Sequence, residues 1–173
     1  MAYTEDDLNL LASVPQLIGS AIAASAGSGL FGTGKELFAN ANAVLDGLKS
    51  YPGNPLIKQL LPDPAGDRAA AVEKMKRTRD WTTARLRAKG VDNGEKLRAL
   101  VIEDARAAAA VLASKASPSE AAEYKQWALS IAEKVASAAT EGGFLGFGGE
   151  RVSAAEKALI ADVRNALGVA ATA

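Results

Sequence analysis

A chain of 173 residues that is 49% apolar, with 20 basic and 20 acidic side chains, is long enough for one domain with a buried core. Its zero formal charge argues against strong sequence-independent attraction to nucleic acid or to anionic membrane surfaces. With no cysteine and no histidine, it lacks disulfides, thiolate chemistry, the commonest general acid–base group and the commonest transition-metal ligand.

Aromatic residues are only 5% of the chain, and the β-branched and aromatic runs of strands are missing. Alanine with Leu, Val and Ile suits helices whose axes approach closely. The expected fold is therefore all-α: a compact bundle of five to six main helices in one domain, 1–173.

The first helix is expected from about Thr4 to Ala26, with Leu8, Leu11, Ile18 and Ile22 on one face and Leu10, Val14, Leu17 and Ala21 widening it. Pro15 lacks an N–H and should kink or divide it. Residues Leu8 to Gly34 carry no charge and reach membrane-spanning length. Their polar residues and glycines, and the acidic start Glu5-Asp6-Asp7, point instead to a central helix surrounded by others. No transmembrane segment and a cytoplasmic location are expected.

A second helix follows from Thr33 to Ser50, with Leu37, Ala41, Val44, Leu45 and Leu48 inward. After a turn at 51–55 comes a short helical stretch, Leu56 to Leu61, and a breaker cluster at 62–66. The third long helix covers about Asp67 to Lys89 and stops at Gly90. The fourth covers Asn93 to Ala116, with Leu97, Leu100, Val101, Ala105, Ala108 and Leu112 inward. The fifth runs from Pro118 to Glu141, with Tyr124, Trp127, Ile131 and Val135 inward, and the sixth from Ser153 to Leu167, with Leu159, Ile160, Val163 and Leu167 inward. Capping boxes are expected at Thr4/Asp7, Thr33/Glu36, Asp92/Glu95, Ser117/Glu120 and Ser153/Glu156.

The first and fifth helices each end in small residues and lead through a Gly-rich loop into a capped helix, a plan that suggests two helical hairpins related by weak duplication. Residues Val135 to Ala139 and Arg151 to Glu156, followed by Asp162-Val163 and Leu167-Gly168, resemble the helical-hairpin pattern of tellurite-resistance (TerB-like) domains. That resemblance implies an all-helical fold and work through metal ions and protein partners near membranes. The loop there normally carries an acidic residue; here Glu141 and Glu150 flank a run of Gly, Phe and Leu. No metal-binding residue is carried over, and no cofactor is expected.

Two candidate sites stand out. Phe144, Leu145 and Phe147, with Phe31 in the earlier Gly-rich loop, either plug the core or form an apolar patch for a protein partner or peripheral membrane contact. Lys74, Arg77, Trp81 and Arg85 recur at helical spacing on the third helix and form a candidate anion-binding face. Interleaved acids and neutral charge argue against nucleic acid as its partner. The leading expectation is a non-enzymatic interaction or scaffold domain with a protein partner. The alternative is a bundle that binds a small apolar or lipid-like ligand between the first and fifth helices.

Overall fold

The computed structural model describes residues 2–25, 34–63, 65–140 and 152–170, and for 34–38 and 139–140 the backbone alone. Among them there is no strand. The helices are α1 (Glu5–Ser25), α2 (Gly34–Leu45), α3 (Gly47–Ser50), α4 (Pro55–Leu60), α5 (Arg68–Ala88), α6 (Gly94–Lys115), α7 (Pro118–Thr140) and α8 (Ala154–Ala166). Among the described residues these are eight helical segments, where five to six main helices and one short stretch were expected.

Local chemistry explains most helix boundaries. At Thr4 the backbone N–H donates to Asp7 Oδ2 at 2.7 Å, and the Asp7 N–H donates to Thr4 Oγ1 at 3.2 Å. Ser117/Glu120 and Ser153/Glu156 close the same reciprocal pair. The expected box at Asp92 is displaced by one residue. Asn93 is the cap, its side chain accepting from the Lys96 N–H, while Asp92 takes the Lys96 ammonium at 2.8 Å. The Thr33 cap lies outside the described residues. α5 stops where Gly90 adopts φ 60°, a left-handed conformation that lets the Val91 N–H reach the Leu86 carbonyl.

α1 is the central helix and packs against α2, α4, α5, α6, α7 and α8. It is long and apolar enough to cross a membrane by composition, yet 67% of its apolar window is buried within the protein. Pro15 does not divide it. A proline N leaves the carbonyl four residues earlier without its helical donor. That carbonyl belongs to Leu11, and the Tyr124 hydroxyl of α7 donates to it at 2.8 Å. Burial holds the Tyr124 phenol far above its ordinary pKa, so the donor proton stays in place.

Tyr124→Phe should therefore cost about 1–3 kcal/mol, because it leaves a buried carbonyl unpaired. Pro15→Ala restores an N–H, and in that background the same substitution should cost clearly less. Urea denaturation of the four proteins measures this coupling; equal costs in both backgrounds would refute it.

The inward residues expected on α6 and α7 are all buried, as are Leu159, Val163 and Leu167 at the C-terminal end, while Ile160 is partly buried against the core. The second helix departs from expectation. It breaks at Asp46, and the Trp127 indole N–H of α7 takes the Val44 carbonyl at 3.2 Å. Ala41 and Leu45, expected inward, are exposed. Leu45 is 46% exposed and faces α5 across a hollow.

Asp7 also fastens the N-terminus of α1. Its carboxylate pairs with Lys115 at the end of α6, and this contact, with the hydrogen bonds to Thr4, pulls its pKa down to about 2.

Candidate functional site, a groove beside α5

α5 is held unlike the other long helices. Of its 21 residues only Thr78 is buried. An amphipathic helix normally presents an apolar stripe to its neighbours; α5 has little of one and is fastened by polar contacts along its length. The Lys74 ammonium donates to the Gln59 and Leu61 carbonyls at 2.9 and 3.1 Å, capping the C-terminal end of α4. Arg77 pairs with Glu5 of α1 at 3.4 Å. Arg85 holds Asp104 of α6 through Nε at 2.9 and 3.0 Å and Nη2 at 2.5 Å, and its guanidinium lies 5.7 Å from the Trp81 ring. Hydrogen bonding to Asp104, with the nearby Glu103, raises the Arg85 pKa.

The candidate anion-binding face of Lys74, Arg77, Trp81 and Arg85 is thus used within the protein. Its three cations each have an internal partner that a phosphate or polyanion would need to displace. Their arrangement secures α5 rather than presenting free charge.

Because α5 lacks an apolar stripe, a hollow remains beside it. This groove of about 420 Å³ lies between α1, α2, α4 and α5, with Val44, Leu45, Leu60, Leu61 and Met75 on its apolar walls. That volume falls within the range of small-molecule sites, which are mostly apolar with a few polar groups. The exposed large hydrophobic residues of the described chain are Leu45, Val72 and Met75, at 46%, 52% and 51%. Two of them line the groove, and Val72 lies one helical turn before Met75. Arg79 sits on the rim, paired with its exposed neighbour Asp80 at 2.8 Å. The base is rigid: the Asn40 amide donates to the Gln16 carbonyl at 3.0 Å, and a Cβ on Gly19 would meet Asn40 Oδ1 at 2.1 Å. α2 and α1 therefore touch almost backbone to side chain at this point.

Where ligand space was expected between the first and fifth helices, α1 and α7 pack directly against each other. Ala128, Ala132 and Ala136 of α7 are fully buried, so small side chains here bring the helices together instead of leaving room. Phe31, Phe144, Leu145 and Phe147, with both Gly-rich loops, lie outside the described residues. Among the described residues no three carboxylates form a metal-binding group. Sequence reasoning did not find the groove. The available signal was Met75, with Val72 one turn before it, large apolar residues in the first half of a helix that is polar on average.

Comparison with protein-family models, curated proteins and solved structures gave no match.

Proposed function

We propose that this chain is a non-enzymatic binding domain that takes a small apolar or lipid-like ligand in the groove between α1, α2, α4 and α5. One observation carries the reading: Leu45 and Met75, exposed large hydrophobics on two different helices, converge on a single hollow of ligand size. Apolar surface left open to water is unfavourable by about 25 cal/mol per Å², and a ligand that covers it recovers that free energy. The groove is shaped by polar fastenings of α5 and a tight α1–α2 contact, so it exists before a ligand arrives and little ordering entropy opposes binding.

Titration of the full chain with an uncharged fluorescent apolar probe such as Nile red tests this. Saturable binding is expected. Leu45→Glu and Met75→Glu should each weaken it at least about tenfold, or about 1.4 kcal/mol, by placing a charge on an apolar wall. Both side chains are about half exposed, so thermal melting should hardly change. Absence of saturable binding, or binding that survives both substitutions, refutes the site.

A further inference from the structure

We infer that the ligand is a single-chain amphiphile with a carboxylate head, its chain lying along α5 and its head at Arg87. This rests on the groove being a binding site and adds the ligand's charge and orientation. A second hollow of about 300 Å³ lies between α1, α5 and the start of α6, with Leu17, Leu86, Val91 and Leu97 among its walls. Both hollows are bordered by Gln16 and Ser20 of α1, so they lie next to each other along that helix. Met75 and Arg79 border the first; Thr83 and Arg87 border the second. Arg79, Thr83 and Arg87 follow at intervals of four, which places them along one edge of the helix. The result is one trough beside α5. From Met75 to Arg87 it extends about 18 Å at 1.5 Å per residue, enough for a long acyl chain in extended form.

Charge identifies the head. The chain as a whole has equal numbers of acids and bases. The residues lining the two hollows include Lys74, Arg79 and Arg87 and not one carboxylate. Lys74 is held by the α4 carbonyls, and Arg79 already has Asp80. Arg87 has no ion-pair partner among the described residues, and its planar guanidinium suits a carboxylate. Thr82 and Thr83 donate their hydroxyls to the Thr78 and Arg79 carbonyls at 2.7 and 2.8 Å. They have no proton left for an anion midway, so the head belongs at the Arg87 end and the tail at the Leu45–Met75 end.

The test is isothermal titration of the full chain, below micellar concentration, with hexadecanoate, its methyl ester and hexadecyltrimethylammonium. Hexadecanoate should bind about tenfold more tightly than the ester, and the ammonium more weakly than either. Arg87→Gln should remove the preference for the acid and leave the ester unchanged. Met75→Glu should weaken acid and ester alike. If the ester binds as well as the acid, or Arg87→Gln keeps the preference, the head assignment is wrong while the groove reading stands. If neither binds and Nile red does not either, both fall. Adding vesicles of anionic phospholipid separates the sources: association with vesicles but no uptake of free hexadecanoate overturns the inference in favour of a membrane surface.

Discussion

Arg85→Ala is expected to destabilise the fold by about 3–5 kcal/mol, the usual cost of removing one partner from a buried ion pair. Asp104 has a side-chain exposure of 0%, and it sits in the middle of α6, where water cannot take over the lost guanidinium contacts. Arg85 is 28% exposed, and its other partner, Glu103, is half exposed. The cost therefore arises mainly from the stranded Asp104 carboxylate rather than from Glu103. Chemical denaturation of the wild type, Arg85→Ala and the double variant Arg85→Met with Asp104→Leu separates the causes. The double variant should recover most of the loss, because apolar residues of similar size commonly replace a buried pair without penalty. A single-variant cost below about 1 kcal/mol would mean that Asp104 is not stranded, and the account of how α5 is attached would be wrong. Since the same pair helps hold α5 over the groove, Arg85→Ala should also weaken probe binding, even where the protein remains folded.

Trp127→Ala is expected to cost a similar amount, about 3–5 kcal/mol, from the cavity and the lost contacts of a large buried ring. Trp127 is 1% exposed, packs edge-on against Tyr124 at 5.6 Å and 79°, and donates to the Val44 carbonyl. The informative partner is Gly47. A Cβ there would lie 2.6 Å from the indole Nε1 and 2.8 Å from Cε2. Gly47→Ala gains up to about 1 kcal/mol of helix propensity but forces the ring aside, and a net loss of about 1–3 kcal/mol should result. In the Trp127→Ala background the obstruction is gone, so Gly47→Ala should become neutral or stabilising. A thermodynamic cycle of the four proteins measures this coupling. Additive effects would show that the ring does not occupy the space a side chain at 47 would need.

The two substitutions bear on different parts of the molecule. Trp127 and Gly47 set where α2 gives way to α3, and so where Val44 and Leu45 stand relative to α5. Arg85 sets how α5 lies against the α1–α6 side. Both therefore act on the groove from a distance, and neither Trp127 nor Arg85 lines it. A substitution that alters ligand uptake without touching the lining is thus an expected result. It should be read together with the direct effect of Met75→Glu.

The all-helical class and most helix boundaries could be read from the sequence because they depend on neighbours three or four positions away. Thr4 with Asp7, Ser117 with Glu120 and Ser153 with Glu156 are closed by hydrogen bonds within one turn, and the inward faces of α6 and α7 follow the helical period. The Asp92 box failed by one residue because Asn93 caps equally well and Asp92 had Lys96 within reach.

What the tertiary structure alone decided involves long separations along the chain. Tyr124 reaches the Leu11 carbonyl across 113 positions, Trp127 reaches Val44 across 83, and Asn40 meets Gln16 across 24. Periodicity says that Leu45 belongs to an apolar face, but not whether the helix opposite can cover it. That depends on where α5 lies, which is settled by the Lys74, Arg77 and Arg85 contacts with three other helices. From the sequence those residues read as a candidate anion-binding face, since local spacing shows which charges share a face but not which carbonyls and carboxylates lie across from it. The groove is the space left when a polar helix is tied beside an apolar one, and only the packed arrangement of both could show it.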